Sequence, residues 1–105
     1  MILMVAGILV KVHEYHRRII AICDAELLGR KLEQDPLQLE INKDFYGGEE
    51  VSEKELQDLL EDSVREDATF NIVGERAIAI AIKAGVVGEQ GIIRIQGVPH
   101  ALRLL

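Results

Sequence analysis

The sequence predicts an α+β fold: a small mixed or mainly antiparallel sheet carrying two helices. Three observations lead there. Two β-branched runs separated by a short polar stretch open the chain as an N-terminal β-hairpin. A capping box starts an amphipathic helix near residue 52. An Ala- and Ile-rich segment around residue 80 has the ends of a buried helix. The connections are too short for a series of parallel crossovers, which disfavours an all-parallel sheet. The 105 residues are enough for one modest core and are expected to form a single domain, 1–105.

The opening run "MILMVAGILV" is apolar but ends at Lys11, well short of the ~20 residues needed to span a bilayer. It has neither the preceding positive charge nor the small-residue cleavage site of a signal peptide. It is therefore read as a buried strand, with a few loose residues ahead of Met4. Residues 5–13, "VAGILVKVH", and 17–23, "RRIIAIC", flank "EYH" as the two arms and tip of a hairpin. "DAELLG" then suggests one helical turn, capped by Asp24 and ended by Gly29 in a left-handed conformation. "RKLEQDP" is loop-like up to the break at Pro36, and "LQLEI", 37–41, alternates as a half-exposed strand does.

Ser52 and Glu55 form a capping box, and Val51 and Leu56 a hydrophobic staple around it. Leu56, Leu59, Leu60 and Val64 follow on one face, so an amphipathic helix is expected over about 52–66. The stretch "ATFNIVGERAIAIAIKAG", 68–85, is ambiguous, because Ile78 to Ile82 alternate with alanines as in a strand. Helical signals outnumber that one. Ala is a strong helix former and a poor strand former. Asn71 suits an N-cap, Glu75 the first turns, Lys83 the last turn and Gly85 the stop. A buried helix over about 71–84 is the expectation. Two β-rich runs, 92–95 and 101–104, complete the chain, with "QGVPH" turning between them.

Composition narrows the function. The core must be aliphatic, since the chain has two Phe, two Tyr and no Trp. A formal charge of −6 speaks against a generic nucleic-acid binder, although Arg17-Arg18 and Arg30-Lys31 are local basic pairs. The one cysteine, Cys23, excludes an intrachain disulfide, fits a reducing compartment and reads as a small buried side chain.

Four stretches are candidates for chemistry. "FYGGEEVS" places Gly47 and Gly48 before a helix, as phosphate-binding loops do, but the P-loop lysine is missing and Glu49 and Glu50 would repel an anion. "NIVGER" offers Arg76 beside a helix N-terminus, suited to a carboxylate or phosphate. His100, in "GVPHA", titrates near neutral pH and is the one acid–base candidate beside a rigid turn. "HEYH" does not make a metal site on an extended strand, because residues three apart face opposite sides. No cofactor and no metal are expected.

The blocks "VKVHEY", "AICDAELLGRKLE", "LEINKDFYGGE", "NIVGERAIAIAIKAGVV" and "IIRIQGVPHALRL" together resemble an archaeal family of uncharacterised proteins, domain of unknown function 424. Their order and spacing carry the resemblance over nearly all of residues 10–104. It implies an archaeal cytoplasmic protein, and an association with translation drawn from gene neighbourhood. It brings no activity, cofactor or catalytic residue to transfer.

The expected function is a non-enzymatic binding module of the translation apparatus, contacting a protein or structured RNA. The expected contact surface is Tyr46, Gly47, Gly48, Asn71, Glu75, Arg76 and His100, with Tyr46 and His100 stacking on a base or filling a pocket. The alternative is an enzyme or small-ligand binder. Its pocket would lie between the Gly47-Gly48 loop, the start of helix 71–84 and His100. A third reading is a structural subunit of a larger assembly. No membrane contact is expected, and the sequence sets no oligomeric state.

Overall fold

The computed structural model describes residues 7–14 and 16–104. The expectations for the first six residues therefore lie outside the described residues. In chain order the elements are β1 (Ile8–Glu14), β2 (Arg18–Asp24), β3 (Lys31–Gln34), β4 (Leu37–Glu40), α1 (Lys43–Tyr46), β5 (Glu49–Val51), α2 (Glu53–Ser63), β6 (Ala68–Val73), α3 (Glu75–Lys83), β7 (Ile93–Ile95) and β8 (Val98–Arg103). The fold is α+β, with a mixed six-stranded sheet in the order β5-β1-β2-β6-β8-β7. Among the described residues only β2 and β6 run parallel, and β3 with β4 forms a separate hairpin. No helix among the described residues is long and apolar enough to cross a membrane.

The pleat sends alternate side chains to opposite faces, and each face has its own cover. Ile8, Ile20, Ile22, Phe70, Ile72 and Ala101 face α2 and α3, against Leu56, Leu60, Ala77, Ile78 and Ala81. Leu9, Ala21, Cys23, Val73 and Ile95 face the other way, against Leu32, Ile41, Phe45 and Tyr46 from the β3–β4 hairpin and α1. The sheet is thus a middle layer, with helices on one side and a smaller hairpin layer on part of the other.

The N-terminal hairpin and the amphipathic helix are both present, the helix starting after Ser52 as expected but ending at Ser63 rather than near residue 66. Ser52 and Glu55 exchange both hydrogen bonds of the capping box. The second helix is present but starts later than expected. Residues 71–73 belong to β6, whose Ala68, Phe70 and Ile72 are buried in alternation. The chain turns sharply at Gly74, with φ of 113°, a left-handed value that favours glycine. A Cβ there would also collide with the Asp24 carboxylate. Asn71 is consequently no helix cap. That role falls to Asp24, whose Oδ2 accepts from the Arg76 amide at 3.1 Å and whose Oδ1 accepts from Ala77 at 2.9 Å. Asp24 gives no side-chain cap to the short 3-10 turn Ala25–Leu27 that it was expected to start.

Two further expectations need correction. "RKLEQ" is not a loop: β3 pairs with β4 and buries Leu32, a single apolar residue among exposed polar ones. The last turn consists of Gln96 and Gly97, with φ of 51° and 80°, the two-residue hairpin geometry of mirror-image turns. Val98, Pro99 and His100 already belong to β8. The short elements α1 and β5 complete the fold without a counterpart in the sequence reading.

Candidate functional site

Asn71 is the centre of a hydrogen-bonded group on the sheet face opposite α2 and α3. Its Cα partners are Ala21 on β2 and Leu102 on β8, while His100 lies opposite Val73 and Ile93. Cross-strand partners share a face, so Asn71, His100, Leu102 and Ile93 all point the same way. The short helix α1 lies over β1 and β2 on this face. It is held there by Lys11 Nζ donating to the Asp44 carbonyl (2.7 Å), His13 bonding the Phe45 carbonyl (2.8 Å), and the His13 and Phe45 rings stacking at 4.8 Å. This docking brings Tyr46 over the sheet, where its hydroxyl donates to Asn71 Oδ1 at 2.6 Å.

His100 Nε2 lies 2.9 Å from the same oxygen. An amide oxygen only accepts, so the His100 proton must sit on Nε2. Nδ1 is then the basic nitrogen of a neutral ring. Burial holds His100 below the ordinary 6.5, which keeps it neutral at pH 7. Neither His100 Nδ1 nor Asn71 Nδ2 bonds a described residue. Among the described residues no buried side-chain nitrogen or oxygen lacks a partner, so both of these atoms reach solvent. The face therefore presents one acceptor, on His100, and one donor, on Asn71. Ile93 and Leu102, each 52% exposed, flank them.

Tyr46 itself is 2% exposed. Its ring meets Phe45 edge-on at 4.9 Å, and burial pushes its phenol up from the ordinary 10. It cannot stack on a base, contrary to expectation, and serves instead to fix Asn71. Cys23, fully buried beneath, is pushed up to about 12 by burial and by Asp24, so it supplies no thiolate near neutral pH.

The remaining candidates lie elsewhere. Arg76 is at the start of α3, where its guanidinium grips both oxygens of Glu26 at 2.7 Å and donates to the Gly7 carbonyl. The carboxylate that Arg76 was suited to bind is thus supplied by the chain. That bond holds Glu26 below the usual carboxylate range. Glu75 pairs with Arg94 at 2.5 Å. Glu75 and Arg76 line a cleft with Gly97 and Pro99, whereas Gly48 lines a groove beside β1 and α2. The expected pocket joining the Gly47-Gly48 loop, the helix start and His100 is therefore divided between separate places. Gly47 and Gly48 serve close packing. A side chain at Gly48 would strike the Val10 carbonyl, and one at Gly47 the Lys43 carbonyl.

Sequence reasoning missed Asp24 as the cap of α3, Glu26 as the partner of Arg76, and the exposed Ile93 and Leu102. Among the described residues no group of three or more His, Cys, Asp or Glu is placed to hold a metal ion.

The family model described as "Protein of unknown function (DUF424)" matches residues 13–104. Among solved structures, the chain is similar to the crystal structure of an uncharacterized conserved protein from Methanopyrus kandleri. The two share 27% identity and a TM-score of 0.79, over 92% of this chain and 90% of that one. No curated protein matches the sequence.

Proposed function

We propose that this chain, which belongs to the DUF424 family of proteins of unknown function, is a cytoplasmic, non-enzymatic binding module of the translation apparatus. Its contact surface is the open sheet face around Asn71 and His100, and its partner is a protein. One observation carries this reading. The free acceptor of His100 and the free donor of Asn71 sit between two half-exposed apolar side chains, Ile93 and Leu102. A peptide group needs such a donor–acceptor pair, and apolar flanks supply the burial that accompanies it. Their cross-strand neighbours on this face, Ala21 and Val73, are apolar too, whereas phosphate recognition draws its affinity from Lys and Arg. The net charge of −6 weighs the same way. The translation assignment rests on the gene neighbourhood that the family resemblance brings.

Affinity capture from a native extract tests the reading, run with and without nuclease, on the wild type and on Leu102→Asp. The expected result is a translation-apparatus protein that survives nuclease and is lost with Leu102→Asp. Loss on nuclease treatment would make RNA the partner. Recovery of no translation component would refute the assignment.

A further inference from the structure

A second surface lies at the edge of the sheet, away from the Asn71–His100 face. The hairpin partner β2 covers the inner side of β1 along its whole length, Ile8 to Glu14. The outer side is covered, among the described residues, only by β5, whose pairing stops at Val10 opposite Glu49. Among the described residues no strand pairs with the outer side of β1 beyond that point. A Cβ at Gly48 would collide with the Val10 carbonyl, which places that carbonyl on the β5 side. Along a strand the backbone groups of alternate residues point the same way. The N–H and C=O of Val12 and Glu14 therefore point outward from an open edge.

That edge borders a groove of about 360 Å³ between β1 and α2, on the face that carries the helices. Its apolar lining includes Val10, Val12, Val51 and Leu59. Glu49, Glu55 and Lys11 line it as well, but Lys11 Nζ is drawn to the Asp44 carbonyl and one Glu55 oxygen to the Ser52 amide, which leaves Glu49 and the second Glu55 oxygen as its charge. Val12 is 45% exposed although it belongs to the face that packs on the helices. Open strand edges of this kind are normally blocked by charge, proline or a covering element, because they template the addition of another strand.

We infer that this edge takes an extended segment of a partner protein as an added strand. The outward N–H and C=O of Val12 exchange hydrogen bonds with one residue of that segment. The apolar side chain of that residue enters the groove, since cross-strand partners share a face. The acidic pair at the groove selects the rest: a Lys or Arg of the same segment faces Glu49 and Glu55. The charge complementarity thus specifies a basic, alternating apolar peptide rather than a second copy of this acidic chain.

The test pans a displayed library of random short peptides against the full chain, then titrates a selected peptide into 15N-labelled protein. Enriched peptides should alternate apolar residues with Lys or Arg, and the bound peptide should protect the Val12 and Glu14 amides from exchange. Glu49→Lys, a change at an exposed position, should weaken binding about tenfold. No enrichment over the naive library would overturn the inference. So would shifts centred on Ile93 and Leu102, unchanged affinity in Glu49→Lys, or concentration-dependent protection of Val12 by self-association.

Discussion

Asp24 caps α3 from the far end of β2: its Oδ1 accepts the Ala77 amide at 2.9 Å, across 53 residues of sequence. The other oxygen takes the Arg76 amide, so one carboxylate satisfies two of the donors that a helix start leaves unpaired. Burial raises the Asp24 carboxyl above its ordinary 3.8, while the two amides and the Arg76 charge oppose that rise. The bond ties α3 to the sheet at the point where Gly74 lets the chain turn.

Asp24→Ala leaves both amides without their partner and is expected to cost about 2 kcal/mol. Denaturant unfolding should show a lower midpoint at unchanged slope. A loss under about 0.5 kcal/mol would mean that water replaces the cap at no penalty.

The Glu26–Arg76 pair is a weaker tie. The two side chains are 48% and 29% exposed, so solvent screens their attraction in spite of the two-point geometry. Glu26→Gln should cost about 0.5–1 kcal/mol at neutral pH. Because Arg76 holds the Glu26 carboxyl below its ordinary 4.5, this contribution is present above that value and is lost as pH falls beneath it. The difference between wild type and Glu26→Gln should therefore vanish in acid and shrink in high salt.

Asn71 Oδ1 serves two donors, so the order of mutational effects follows. Tyr46→Phe removes one hydrogen bond and should cost about 1 kcal/mol. Asn71→Ala strips the acceptor from both Tyr46 and His100 and should cost more than Tyr46→Phe. Equal costs would show that only the tyrosine bond matters. Thermal or chemical unfolding of the two variants side by side decides this.

His100 gives the opposite pH window to a stabilised cation. Burial lowers its folded value below 6.5, so its neutral form is favoured in the fold. That contribution is fully present above 6.5 and is lost as pH falls through the folded value. Relative to His100→Gln, the wild type should lose stability as the pH falls below 6.5 and keep it above. A constant difference across that range would contradict the assignment.

What the sequence revealed was what neighbouring residues settle among themselves. The Ser52–Glu55 box and the arms of the first hairpin depend on residues a few positions apart. The start of α3 did not, because its cap comes from Asp24, and Asn71 happens to be a residue type that caps helices well. Strand β3 carries one buried leucine and no readable alternation; its pairing is set by β4 and by contact with the Gln96 turn, where Gln34 Oε1 accepts from the Gln96 amide at 2.8 Å. Of the site, Tyr46, Asn71 and His100 were each noted for their chemistry. That they meet at one oxygen follows from the docking of α1 and the β6–β8 register, which no local pattern encodes. Glu26 carried no signal beyond its charge.

The central claim is that Asn71 Oδ1 fixes the His100 ring, leaving Nδ1 as the free acceptor on the open sheet face. Side-chain 15N NMR of His100 at pH 7 tests it most directly. The prediction is a neutral ring with a protonated Nε2 and an unprotonated Nδ1, and loss of that single tautomer in Asn71→Ala. A ring protonated on Nδ1, a charged imidazolium, or a tautomer unchanged by Asn71→Ala would contradict it.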